Sequence, residues 1–232
     1  MGTQPHIPKV LFTTELSEQH KKHLGTYTTF SYKVIPFIKV NAIDSYEWSD
    51  DVPFETDAWV FTSKRAVEAV LPLKGLFLDP DLVFAVGEKT AEELKKYEID
   101  PLIPEQYNVI ELSKLIAKFE PPEIVHFCGN LKVESLSSLL ASTPIDVVQI
   151  PVYETILTSN PVHNIAFDAI VFMSPSAITS FFQKNTLTKE IPIFCIGKST
   201  AQALHTWGFG HYHQPTTSTF DSLVESIHTF YS

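Results

Sequence analysis

This chain carries the same ordered set of segments twice, and that constrains its fold more than any other feature. "VFTSKRAVEAV" begins at Val60, and a near copy, "VFMSPSAITSF", begins 111 positions later at Val171. "FAVGEKTAEEL" from Phe84 returns as "FCIGKSTAQAL" from Phe194, with the Gly, the Thr-Ala pair and the final Leu in step. "PEQYNVIELSKLIAKF" from Pro104 is answered by "PTTSTFDSLVESIHTF" from Pro215, so that Leu112, Ile116 and Phe119 fall on Leu223, Ile227 and Phe230. Nearer the start, "LFTT" at Leu11 and "IPF" at Ile35 match "HFCG" at His126 and "IPVY" at Ile150, both displaced by 115. Periods of this length lie beyond the solenoid range, so the repeat is a duplicated domain-sized unit. A length of 232 residues agrees with two domains, and 44% hydrophobic against 19% charged residues gives each half enough apolar surface for a core.

Short apolar runs recur as "KVLFT", "AWVFT", "LVFAV", "EIVHF", "AIVFM" and "IPIFCI", each followed within a few residues by sequence of helical period. Strands buried on both faces and alternating with helices predict an α/β fold of two similar parallel-sheet domains. Ala66, Val67, Val70 and Leu71 share one helix face, as do Phe220, Leu223, Val224 and Ile227. Asn108 and Thr219, at matching positions, are expected N-caps. Two segments break the rhythm: "SYKVIPFIKV" from Ser31 and "IDVVQIPVYETIL" from Ile145 are long, rich in β-branched residues and carry a Pro each. Because Pro is disfavoured at a sheet centre, they read as extended connectors that pair with each other as a two-stranded β linker.

The net charge is −10 and Arg65 is the only arginine, which excludes the clustered basic footprint of a nucleic-acid binder. It also means that an anionic ligand must be held by local donors, since the overall field repels it. No run reaches the ~18 apolar residues of a membrane helix, and the start lacks the pattern of a secretory signal; a cytoplasmic protein without a membrane partner is expected. Cys128 and Cys195 sit in or beside apolar runs and read as reduced, buried thiols.

In a parallel sheet, ligands bind where strands end and helices begin. The duplicated polar residues fall there: Thr62 and Ser63 against Ser174 and Ser176, Gly87 and Thr90 against Gly197 and Thr200, and Thr13 and Thr14 against Cys128, Gly129 and Asn130. A Gly after a strand allows close backbone approach, and first-turn N–H groups bind carboxylate or phosphate. Taken singly, Ser63 or Thr90 is a helix cap; the set on one edge points to a ligand held in a cleft between two domains. Catalytic motifs are otherwise missing. "GKST" at Gly197 lacks the first Gly of a P-loop, and no dinucleotide fingerprint, hydrolase elbow or H-E-x-x-H occurs. His211 with His213, and Asp50 with Asp51, read as solvated pairs, so no metal is expected. Tyr153 in "PVYET" has Ile38 at its matched position. Its hydroxyl is therefore not explained by the duplication, and it is either a proton donor or an ordinary strand aromatic.

Taken in order, "VFTSKRAVEAV", "FAVGEKTAEEL", "IPVYET", "DAIVFMSPSAITSFF" and "FCIGKSTAQAL" resemble the uroporphyrinogen-III synthase family of tetrapyrrole biosynthesis, over nearly the whole chain. The resemblance implies a cofactor-free lyase that closes linear hydroxymethylbilane, a polycarboxylate, into uroporphyrinogen III while inverting the last ring and losing water. It implies Tyr153 as proton donor to the leaving hydroxyl, with Ser63, Gly87, Thr90, Ser174, Ser176, Gly197 and Thr200 lining the cleft. Thr13, Thr62, Lys64, Gly129 and Asn130 complete the expected binding set. It further implies a monomer in which 1–32 plus 159–232 form one domain, 42–144 the other, and 33–41 with 145–158 the β-ladder linkers; the residues alone equally permit two consecutive domains. One departure is Glu15, where many relatives carry Arg, which leaves Lys64, Arg65, Lys89, Lys132 and Lys198 as the basic candidates. The alternative function is a non-catalytic two-domain module that closes on a small anion. A sugar-nucleotide transferase is disfavoured by the short chain and the lack of an acidic metal pair at a strand end.

Overall fold

The computed structural model describes residues 6–53, 55–76, 78–131, 136–163 and 165–232. In chain order the elements are β1 (Lys9–Phe12), α1 (Glu18–Leu24), β2 (Ser31–Val34), β3 (Ile38–Ala42), β4 (Ala58–Phe61), α2 (Lys64–Val70), β5 (Leu82–Ala85), α3 (Glu88–Lys95), α4 (Val109–Phe119), β6 (Glu123–Gly129), α5 (Leu136–Leu140), β7 (Asp146–Leu157), β8 (Ala169–Phe172), α6 (Pro175–Phe182), β9 (Ile193–Cys195), α7 (Lys198–His205) and α8 (Phe220–Tyr231). The chain divides into two compact units, Met1–Lys39 with Ile156–Ser232, and Val40–Thr155.

The first unit has a four-stranded sheet of order β2-β1-β8-β9, parallel throughout. In the second unit the order β7-β6-β4-β5 repeats it strand for strand, again parallel. Even the isolated bridges agree: Leu102 pairs with Phe84 as His213 pairs with Phe194. Strands β1, β4 and β8 are apolar almost end to end because both faces are covered by helices, as the unbroken apolar runs predict. In the second unit one face packs Trp59, Phe61, Val125 and Phe127 under α2 and α3. The other packs Val60, Ile124 and Phe84 under α4 and α5.

Strand register corrects one sequence match. Val60 lies opposite His126 and Val171 opposite Phe12, so Phe12, not Leu11, is the counterpart of His126. A one-residue slip moves every side chain to the other face, and the core clusters agree with the register. Phe12 packs on the α1 and α8 side, and Ile124 packs on the equivalent α4 and α5 side.

The connectors differ more from expectation. Ser31–Val34 is a full strand of the first sheet, and the first half of β7 pairs in parallel with β6; only their later parts pair with each other. Thr158 N donates to Phe37 O and Ile43 N to Val152 O, with the Asn41–Glu154 hydrogen bond (2.9 Å) between them. Numbers rise on one strand as they fall on the other, so β3 and β7 run antiparallel and the sheet of order β3-β7-β6-β4-β5 is mixed. The expected pair of purely parallel sheets joined by a separate linker is therefore wrong on this point. Proline misled the reading because both prolines sit where the ladder is already broken. Pro36 falls between β2 and β3, and Pro151 sits at a bulge where Cys128 faces Pro151 but Gly129 faces Tyr153.

Phe127 is fully buried, with its ring stacked on Phe61 at 5.2 Å and edge-on to Trp59 at 5.8 Å. Phe127→Ala removes this keystone and is expected to lower the unfolding free energy by about 3–5 kcal/mol, read from denaturant midpoints at unchanged m-value.

Candidate functional site

The carboxyl edge of the parallel strands in each sheet gathers most of the expected residues, each unit at its own rim. In the second unit, Gly129 pairs with Tyr153, while Ser63 and Gly87 each lie two positions past Phe61 and Ala85, which share a row with Phe127. Tyr153, Gly129, Ser63 and Gly87 therefore form one line across β7, β6, β4 and the end of β5. In the first unit the same construction aligns Ser174 with Gly197, and register places Glu15 where the second unit has Gly129.

Tyr153 owes its position to Gly129 and Asn130. A Cβ on Gly129 would stand 2.6 Å from Tyr153 Cε2, so only glycine lets the ring lie against the strand end. Asn130 braces the other side: its N–H donates to Tyr153 O (3.1 Å) and its Oδ1 accepts from Thr155 N (2.8 Å). The phenol is half-buried and held at the sheet rim.

The serines have a local task. Ser63 Oγ accepts from Ala66 N (3.1 Å) and caps α2; Ser174 Oγ accepts from Ala177 N (3.2 Å), caps α6, and lies 3.2 Å from Ser176 Oγ. Asn108 and Thr219 cap α4 and α8 as expected. Helices α3 and α7 differ, because both start at a glycine, Gly87 and Gly197, and no side chain caps them. Their first turns offer N–H groups to an outside acceptor, the arrangement that favours a carboxylate. Thr90 and Thr200 lie in those first turns, buried and with hydroxyls that make no hydrogen bond among the described residues. The glycines have a reason beyond ligand approach: a Cβ on Gly87 would meet Tyr107 at 2.8 Å, and one on Gly197 would meet Ser218 at 2.7 Å, matched positions in the loops before α4 and α8.

Not every expected residue is presented to a ligand. Thr13 is fully buried and its hydroxyl donates to Val171 O (2.7 Å), tying β1 to β8. The Lys64 ammonium lies 3.2 Å from both Glu68 and Glu93; Glu93 is nearly buried, and a hydrogen bond from Lys96, with Lys64 also contributing, holds its carboxyl below the usual carboxylate range. Arg65 and Lys198 are exposed in the first turns of α2 and α7 and make no ion pair among the described residues. Lys132 lies outside the described residues. Both thiols are free; burial pushes Cys128 up to about 11 and Cys195 up to about 12, so neither is a nucleophile at neutral pH. Among the described residues no group of three His, Cys, Asp or Glu side chains is placed to hold a metal, and no helix is long and apolar enough to cross a membrane.

Comparison with known proteins gives a consistent result. The family profile described as "Uroporphyrinogen-III synthase HemD" matches residues 29–225. No curated protein sequence matches. Among solved structures, a triple-mutant uroporphyrinogen III synthase from the extreme thermophile Thermus thermophilus superposes with a TM-score of 0.74 at 18% identity, covering 95% of this chain and 97% of that one. Uroporphyrinogen-III synthetase from Helicobacter pylori gives 0.60 at 16% identity, covering 97% and 100%. The wild-type Thermus thermophilus enzyme in a second crystal form gives 0.59 at 19% identity, covering 96% and 97%. At such identities these structures share the fold.

One polar residue escaped the sequence reading because "EIVHF" is otherwise a plain buried strand. His126 is 5% exposed, yet Nε2 lies 2.9 Å from Thr62 Oγ1 and Nδ1 lies 3.4 Å from Gln149 Nε2. A histidine at an inward-facing position of an apolar strand is the signal that could have found it. Burial alone pulls its pKa from 6.5 to about 4, so the ring is neutral at physiological pH. The unfolded chain binds this proton near 6.5 and the folded one only near 4, so the stability present above pH 6.5 is lost as pH falls towards 4. Between pH 7 and 4.5 this group is expected to remove roughly 2–3 kcal/mol of unfolding free energy, and His126→Phe should flatten that part of the pH profile in urea titrations.

Proposed function

This chain belongs to the uroporphyrinogen-III synthase family, and from that premise we propose that it closes linear hydroxymethylbilane into uroporphyrinogen III, inverting the last pyrrole ring with loss of water. The observation that carries the reading is the rim row Tyr153, Gly129, Ser63 and Gly87. It sets a phenol against a glycine beside an uncapped helix start and a capped one, with no nucleophile, base and orienter set among the described residues. The chemistry suits such a site. The substrate's own hydroxymethyl group supplies the electrophile, so the protein has to fold the linear molecule, hold its carboxylates and assist departure of water.

In this reading the Tyr153 hydroxyl donates its proton to the leaving hydroxyl, which departs as water and leaves an azafulvene cation. The exocyclic methylene carbon of this cation is attacked by the substituted carbon of the terminal pyrrole, and the new bond gives a spiro intermediate. That intermediate reopens and recloses with the ring inverted, and the proton lost at the end balances the one given by Tyr153. Each unit offers its own donors to carboxylates of the substrate: the first-turn N–H groups of α3 with the Thr62 and Thr90 hydroxyls in the second, and those of α7 with the Thr200 and Ser176 hydroxyls in the first. Arg65 and Lys198, rather than Lys64, supply the mobile positive charge, since Lys64 is already held by Glu68 and Glu93.

Purified protein given freshly made hydroxymethylbilane is expected to yield the type III isomer; only the spontaneous type I product would refute the activity. Tyr153→Phe is expected to lower kcat by about 10²–10⁴-fold with unchanged thermal unfolding, and an unchanged rate would remove Tyr153 from the mechanism. Gly129→Ala, which forces the ring off the strand end, is expected to lower kcat in the same direction while leaving the hydroxyl chemically intact.

A further inference from the structure

The duplication provides an internal control for His126. In the second unit His126 on β6 pairs with Gln149 on β7 and with Val60 on β4, and Thr62, just past the end of β4 on the same face as Val60, reaches the His126 ring. Register and repeat identify their counterparts in the first unit as Met173, Phe12 and Val34, with Phe12 paired to Val171 and to Val34. Those three pack in one apolar cluster and Phe12 is fully buried. The same fold is thus built once with an apolar row and once with a polar one, so the polar row is not a requirement of the architecture. A buried imidazole in place of a phenyl loses apolar packing and must be hydrogen-bonded at both nitrogens to be tolerated.

The hydrogen bonds give the row a direction. In the orientation the Gln149 amide takes, its Nε2 faces Nδ1 at 3.4 Å; an amide nitrogen only donates, so with this orientation Nδ1 of the neutral ring accepts and the ring proton belongs on Nε2. Nε2–H then donates to Thr62 Oγ1, which accepts and keeps its own proton for a partner elsewhere. Thr62 is partly exposed at the end of β4, immediately before the Ser63 cap of α2, so that partner lies at the rim. No charged neighbour perturbs the ring, and Cys128, the next residue on that face of β6, is a neutral thiol at working pH.

We propose that His126 is a positioning residue: with Gln149 it fixes the Thr62 hydroxyl as an outward-facing donor to a carboxylate of the bound substrate. The identity of that ligand rests on the proposed function; the orientation of the hydroxyl does not. The test therefore has two arms. In the unmodified protein, nitrogen-15 NMR of the histidine rings is expected to show His126 protonated at Nε2 and bare at Nδ1 across pH 6–8; an Nδ1–H tautomer would overturn the proposal whatever the enzyme does. In steady-state kinetics on hydroxymethylbilane, Thr62→Val is expected to raise KM about tenfold and His126→Phe about three- to tenfold, each with kcat within about twofold. The double variant should match Thr62→Val alone. His126→Phe places in the second unit the residue that the first unit already accommodates, so it is expected to fold. An unchanged KM in His126→Phe, or additive losses in the double variant, would sink the relay. Absence of type III product from the unmodified protein would instead sink the activity and leave the tautomer result standing.

Discussion

Parallel pairing of β4 with β6, and of β8 with β1, is the constraint on which both rims depend. A parallel ladder brings the carboxyl ends of neighbouring strands to one edge, and there β4, β5, β8 and β9 each turn, after two residues, into a helix whose first N–H groups have no intrahelical partner. The chain meets this demand in two ways. Ser17, Ser63, Asn108, Ser174 and Thr219 close five helix starts with their own oxygens, whereas Gly87 and Gly197 leave two unclosed. The unclosed pair occupies the same place in both units, so the open starts come from the duplicated architecture and the anion-seeking character of the rims is a backbone property. This matters for a chain of net charge −10, whose overall field opposes any polycarboxylate. Fixed dipoles at short range do not compete with that field over long distances; they act after the ligand has arrived.

Much of this was legible in the sequence because the duplication made it so. One apolar run followed by Ser is an ambiguous strand; two at a fixed displacement, each trailed by a matching helix, specify a sheet edge. The illegible parts share a physical cause, which is that linear spacing does not encode strand register. The match of Leu11 with His126 is one residue out, and only the pairing of Val60 and Val171 with their neighbours corrects it. For the same reason Pro151 looked incompatible with an interior strand until the bulge beside Gly129 gave it a place without a missing hydrogen bond. Lys64 looked like a carboxylate ligand because α3, which brings Glu93 to it, lies more than twenty residues away in sequence.

The glycines answer to packing partners that are distant in the sequence. At Gly87 and Gly197 the backbone is extended, a conformation open to any residue, so conformational freedom does not explain them. What crowds a side chain there is the loop that crosses above: Tyr107 Cβ and Cγ block it at Gly87, while at Gly197 the Ser218 hydroxyl would have to turn away. Gly129 is the different case. The atom it makes room for belongs to Tyr153, and its counterpart by register in the first unit is the exposed Glu15. The same point of the same fold tolerates a long charged side chain where no aromatic ring must lie.

Two copies of one architecture separate what folding requires from what it merely permits. Wherever the units agree, as in the Ser caps, the glycine helix starts and the paired apolar strands, a structural reason is sufficient. Where they disagree at equivalent positions, packing cannot be the reason for both choices. The disagreements collect at the carboxyl edge of the second unit: Thr62 for Met173, His126 for Phe12, Gln149 for Val34 and Gly129 for Glu15, with Tyr153 matched by Ile38 in the sequence repeat. Four exchange an apolar residue for one that carries or holds a hydroxyl, the exchange at Gly129 replaces a charged side chain by the space that the Tyr153 ring needs, and all lie on or beside one line across three neighbouring strands. A buried neutral imidazole is a costly core residue, and its retention amid so apolar a strand is most simply understood if the hydroxyl it holds has work at the rim.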